Sequence, residues 1–163
     1  MPNLRGLPQV FHGDTITVDT TELVPVGSRG FDGSGNEFIY LQGTASVVAG
    51  TWITYAGTDT KTAYVAARLT GSATGPVAIS GTSTVASRFG WFQIFGRNTV
   101  ATADNDVAAG AVLYTTGTAG GVGSTLRQNS QIIGAVAVNA ASGLDATVFI
   151  SYPFAGTNVS NNT

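Results

Sequence analysis

The chain has no cysteine, which excludes disulfides, Cys-ligated zinc and thiol nucleophiles together. It has one histidine, His12, and one lysine, Lys61, in 163 residues. A metal centre or a Ser-His-Asp arrangement would have to be built on His12. Charge of either sign is scarce: Asp, Glu, Lys and Arg make up 10% of the residues, against roughly 25% in ordinary soluble domains. Net charge is −2 and no Lys/Arg cluster exists, so no footprint for a phosphate backbone is present and direct nucleic-acid binding is not expected. No apolar run approaches the roughly 20 residues that span a bilayer, so no membrane partner is expected. The opening residues, MPNLRGLPQV, hold no long apolar stretch of the kind a secretion signal needs. The absence of thiols suits assembly in a reducing cytoplasm.

What the chain does have is glycine, 22 residues of it, with abundant Thr, Ser and Ala. One stretch is written twice. ASVVAGTWITYAGTDTKTAYVAARLTGSATGPVAIS starts at Ala45, and NDVAAGAVLYTTGTAGGVGSTLRQNSQIIGAVAVNA starts at Asn105. The Ala-Gly step recurs at an offset of 60 (Gly50, Gly110) and the Gly-x-Val-Ala step at 59 (Gly75, Gly134). Glycine at such steps marks a tight turn or bulge leading into a strand, so Val at Gly50 or Gly110 is expected to strain the backbone.

Short alternating or apolar runs dominate. Strands are expected at Glu37–Leu41, Trp52–Tyr55, Ala63–Ala67, Val77–Ile79, Phe89–Gly96, Ala111–Tyr114, Ile132–Val138 and Ala146–Tyr152. The run Glu37–Leu41 reads as covered on both faces. In the Phe89–Gly96 strand, Trp91, Gln93 and Phe95 point one way and Phe92 and Ile94 the other. A single helical turn is expected at Thr82–Ser87. The fold class is all-β, with two related β-rich units of sandwich or small-barrel type and an N-terminal extended arm. The arm is residues 1–36, the β domain 37–157 with its duplication at about 45–95 and 105–152, and 158–163 a polar tail. In the arm, Ile16 and Val18 share a strand face and GSRGFDGSGNE reads as a linker. The whole segment is either an arm that orders against a partner or an ordinary edge hairpin.

Chemistry-bearing constellations are thin. His12 and Asp14 supply two metal ligands at most, and nothing nearby completes a site. Asp104-Asn105-Asp106 starts like a calcium loop but lacks the later Gly and Glu, with Gly110 seventh and Thr115 twelfth; a hydrogen-bonded turn is the preferred reading. Trp91, Phe92 and Phe95 are read as core or interface rather than as a sugar platform. GTAGGVGST does not pass from a strand into a helix, so it is no phosphate loop. The sequons at Asn158 and Asn161 have no secretion context. Arg68, Arg88, Arg97 and Arg127 are the expected interface anchors. Catalytic residues, metal and cofactor are therefore each expected to be none, and the chain is not expected to be an enzyme.

Three stretches, EFIYLQGTASVVAGTWITY, TSTVASRFGWFQIFG and AAGAVLYTTGTAGG with QIIGAVAVNAASGLDATVFISY, resemble small bacteriophage head proteins of the decoration, or cement, class. The resemblance covers most of residues 37–155 and lies in pattern and composition. It implies a β-rich homotrimer on the outer capsid surface of a virion, bound to the major capsid protein. Other virion structural roles (minor head, collar or tail) and a carbohydrate-binding β domain are the alternatives.

Overall fold

The structure is a computed structural model that describes residues 18–44, 47–56, 64–125 and 131–156. Ile16, Ala63, Arg127, His12, Asp14 and the tail 158–163 lie outside the described residues. The described chain is all-β. Its strands are β1 Arg29–Phe31, β2 Glu37–Gly43, β3 Trp52–Tyr55, β4 Val65–Arg68, β5 Gly75–Ser80, β6 Phe89–Thr102, β7 Val112–Thr115, β8 Val122–Gly123, β9 Gln131–Ala137 and β10 Asp145–Gly156. They form one ten-stranded sheet, ordered β1-β2-β4-β3-β5-β6-β10-β9-β7-β8, with additional pairings β2–β6 and β5–β10.

These pairings close on themselves. Strands β2, β4, β3, β5 and the first half of β6 pair in a cycle, because β2 meets both β4 and β6. The second half of β6 pairs with β10, then β9, β7 and β8 follow, and a parallel bridge from Ala103 to Val122 brings β8 back to the end of β6. That bridge corresponds to the parallel β2–β4 pairing of the first cycle. Closure removes most free edges, which suits a chain with few charges to guard them.

Hydrogen bonds repeat with the sequence. The Gly50 N–H donates to the Ser80 carbonyl and the Gly110 N–H to the Ala137 carbonyl, both at 2.8 Å. Ser80 donates back to Thr51, and Ala137 to Ala111. The offset is thus 60 at the turn and 57 at the strand it caps, so the second copy is shorter between them. The sequence match of Gly75 with Gly134 does not survive as a spatial equivalence. Gly75 opens β5, whereas Gly134 sits in mid β9 at a register shift opposite Ser151–Pro153.

Alternation sorts side chains between cores. In β3, Trp52 joins a cluster with Val77, Ile79, Leu113, Ile132, Val148 and Ile150, while Ile53 joins Ile39, Leu41, Phe92 and Ile94 on the other side. Strand β2 is buried on both faces, as its apolar run implies: Ile39 and Leu41 point into the first cycle, Phe38 and Tyr40 outward to Trp91. Each fully buried Leu, Ile or Phe contributes about 1.5–3 kcal/mol relative to exposure.

Residues 18–28 cap that outward cluster. Val24 and Val26 pack on Phe38, Tyr40 and Trp91, Asp19 bridges Phe89, and the Tyr40 hydroxyl donates to Asp19 Oδ2 at 2.7 Å. The tract read as a linker is instead the β1–β2 hairpin. Asp32 accepts the N–H groups of Ser34 and Asn36, both at 2.8 Å, closing the turn. The Thr82–Ser87 stretch is not helical: Thr84 exchanges backbone hydrogen bonds with Val47, which spends the groups a helical turn would need.

Gly50 and Gly110 both hold positive φ, +84° and +76°. A Cβ on Gly50 would lie 1.8 Å from the Val100 carbonyl oxygen, whereas one on Gly110 meets nothing within 4 Å. Gly110→Val should lower stability by about 1–2 kcal/mol from backbone strain alone. Gly50→Val should lower it by clearly more, because backbone must also move. Urea unfolding of both variants measures the difference, and equal losses would contradict the close packing at Gly50.

Candidate functional site

The residues flagged by the sequence are mostly absorbed by structure. Trp91 is 5% exposed and Phe92 is fully buried, so neither forms a sugar platform. Asp106 is tied down: it accepts the N–H groups of Ser124 and Thr125 and the Thr125 hydroxyl, and its own carbonyl accepts the Ser124 hydroxyl. This is the hydrogen-bonded turn, and the Thr125 hydroxyl is the main cause that holds the Asp106 carboxyl below its ordinary value of 3.8. The glycines of GTAGGVGST carry β8 and press on β3, with the Trp52 N–H donating to the Gly120 carbonyl at 2.9 Å. No group of three or more His, Asp or Glu that could hold a metal exists among the described residues. An open depression of about 480 Å³ between β3, β4 and β5, lined by Thr54, Tyr55, Val65, Ala67 and Pro76, is mainly apolar.

The feature that sequence reading missed is on the outer face of β6, β10, β9 and β7. Phe149, Tyr152, Phe154 and Ile133 are between 42% and 56% exposed, and Val112 and Val136 beside them are exposed too. Register makes them neighbours: Phe149 lies opposite Arg97 on β6 and Val136 on β9, Val136 opposite Val112 on β7, and Phe154 opposite Ile133. Half-buried Phe95 links them, its ring 5.7 Å from those of Phe149 and Tyr152. Together they leave roughly 500 Å² of apolar surface to solvent, near the upper end of what monomers carry.

Tyr152 is held in place at a local conformational cost. Its φ of +47° is one of two positive values outside glycine among the described residues, and such strain costs on the order of 1–3 kcal/mol. Three contacts fix it. The hydroxyl donates to Glu37 Oε2, the Arg29 guanidinium sits 5.7 Å from the ring centre, and Phe95 packs alongside. Glu37 is only 4% exposed and also accepts from Arg29 Nη1 at 3.2 Å. The Glu37 hydrogen bond is the leading cause that raises the Tyr152 hydroxyl above its ordinary range. The N-terminal hairpin thus clamps the C-terminal strand. The corresponding bend on β6 is Gly96, φ +105°, where a Cβ would strike Asn36 Oδ1.

Of the four arginines flagged as anchors, Arg97 lies on this face and is exposed. Arg68, at the end of β4, and Arg88, which donates its N–H to Val85, lie elsewhere, and Arg127 is outside the described residues. Only alternation on β10 hinted at the face: Phe149, Ser151 and then Tyr152 break the period, so Tyr152 could not be assigned a side. Compared with protein-family models, curated proteins and solved structures, the chain matches none.

Tyr152→Phe leaves buried Glu37 with one donor fewer and should destabilise by about 1–3 kcal/mol; an unchanged urea midpoint would show that the clamp is idle. The sign at Asp106 is equally definite. Its folded value is depressed, so its contribution is complete above the unfolded value of 3.8 and fades as pH falls below that. Asp106→Asn should therefore lower stability near neutrality and flatten the acid limb between about pH 5 and pH 2. Parallel wild-type and variant pH profiles would contradict this.

Proposed function

We propose that this chain is a structural protein of a bacteriophage head, a decoration or cement protein that binds the major capsid protein from outside as an oligomer. The observation that carries the reading is the bare aromatic face on β6, β10, β9 and β7. A charge-poor chain that leaves such a face to solvent is best understood as a part whose working state covers it with protein. The resemblance of residues 37–155 to decoration proteins points to the same class.

The mechanism is mechanical. An oligomer that bridges neighbouring shell subunits binds the closed shell and not the ruptured one, so binding free energy stabilises the closed arrangement by linkage. Several weak contacts per oligomer add through effective concentration. A rigid closed sheet suits this task, since little conformational entropy remains to be lost on docking.

Co-sedimentation with expanded, decoration-free heads tests the proposal. The chain should saturate at many copies per head and raise the temperature at which the heads release DNA. Failure to sediment with heads would refute it, and saturation at a few copies at a single vertex would assign a collar or tail role instead.

A further inference from the structure

Nine of the twelve large apolar side chains that stand exposed among the described residues lie on β6, β10, β9 and β7 or within one residue of their ends. That concentration makes one continuous surface rather than scattered points. Strand β10 runs through its middle, with β6 on one side and β9 on the other. Alternation along β10 turns Ala146, Val148 and Ile150 into the core and Asp145, Thr147 and Phe149 outward. Val100 on β6 and Val138, whose N–H donates to the Thr147 carbonyl at 2.8 Å, extend the surface toward the start of β10. There the β9–β10 turn ends it with Leu144, which is 68% exposed.

Charge on this surface is scant and is split between its two ends. Arg97 lies opposite Phe149, and Asp145 opens β10 four residues earlier, opposite Thr102. Neither makes a side-chain hydrogen bond or ion pair with another described residue. Arg29 and Glu37, beside Tyr152, are already paired with each other. Four residues of strand span about 13 Å, so one free cation and one free anion stand on either side of Thr147. Apolar side chains accompany both: Phe149 and Tyr152 at the Arg97 end, Leu144 and Val138 at the Asp145 end. Turned end for end about Thr147, such a surface is complementary to itself.

We infer that two copies pack this face against itself about a two-fold axis at Thr147, with Asp145 of each copy paired with Arg97 of the other and Leu144 of each set against Tyr152 of the other. The inference rests on the reading of the chain as an oligomeric structural protein and names the contact that builds the oligomer. Sheets packed face to face lie about 10 Å apart, a separation that the long side chain of arginine can bridge to a carboxylate. The same patch serves both copies, so the contact is isologous. Interface centres are about 65% apolar and whole interfaces somewhat less. Roughly 500 Å² of apolar surface therefore goes with about 800 Å² per copy in all, the size of a stable contact. Association closes at two copies, so the oligomer is a dimer and not the trimer that the resemblance implies. Tyr152, clamped at positive φ by Glu37 and Arg29, is presented before the second copy arrives, which reduces the entropy lost on association.

Sedimentation velocity of the full chain over a range of concentrations tests this, with circular dichroism to confirm folding of each variant. Wild type should run as a dimer. Arg97→Glu and Asp145→Arg each set like charges against one another at both ends of the contact, and each should weaken association at least about tenfold. Both reversals on one chain should recover most of that loss. An equimolar mixture of the two single variants should recover it as well, because each copy then meets the opposite charge at both ends. Leu144→Ser, at an exposed position, should yield folded protein that dimerises more weakly. A monomeric or trimeric wild type, single reversals with unchanged association, or a double reversal without recovery would each overturn the inference. Head binding is read separately. A monomer that still saturates heads defeats this contact and leaves the proposed function standing, and a dimer that ignores heads does the reverse.

Discussion

Strand β6 has to serve two closed cycles of strands at once, and this is the constraint on which the rest of the molecule depends. Its first half needs β2 and β5 as neighbours, and its second half needs β10. One fourteen-residue strand meets both needs by bending at Gly96. The bend is stabilised from outside, because Asn36 at the end of the first hairpin occupies the space beside Gly96 and accepts the Arg97 N–H at 3.0 Å. Buried Gln93 ties down the same stretch by donating its side-chain amide to the carbonyls of Phe95 and Arg97.

The same hairpin reaches β10. Glu37 sits beside Asn36 in sequence, and its carboxylate gathers Arg29 from β1 and Tyr152 from β10. The first described hairpin and β10 are therefore joined at one buried carboxylate, with the bend in β6 a residue away. A carboxylate this buried is tolerated because it is hydrogen-bonded and paired; removing either partner exposes the desolvation penalty. The strain at Tyr152 belongs to this arrangement. The bend on β6 carries glycine, while β10 carries a tyrosine in the left-handed region, so the ring is retained at an energetic disadvantage.

Much of the fold was legible because strand signals are local. The apolar run Glu37–Leu41 announced a strand covered twice, and the Ala-Gly steps at Gly50 and Gly110 announced equivalent turns, now seen to donate the same hydrogen bond. Three features resisted reading. Strands β1 and β8 are three and two residues long and lie in glycine-rich tracts, where pairing partners rather than propensity create the strand. The β6 extension beyond Gly96 is polar, with Arg97, Asn98 and Thr99, and gains its strand character from β10. The helical turn at Thr82–Ser87 lost to a distant partner, Val47, which no short window contains.

Sequence by itself determined that the chain is all-β, that its pattern recurs, and that ionisable groups are too few to crowd a surface. Each follows from composition or from a period of a few residues. Only the tertiary structure decided which apolar side chains face inward and which stay outside. Phe92 and Phe149 are both phenylalanines in strands of alternating pattern, yet one is fully buried and the other lies on the bare face. The physical reason is that burial is a property of what packs across a strand. The register shift that sets Ser151–Pro153 opposite Gly134 resets the side on which each later residue of β10 points.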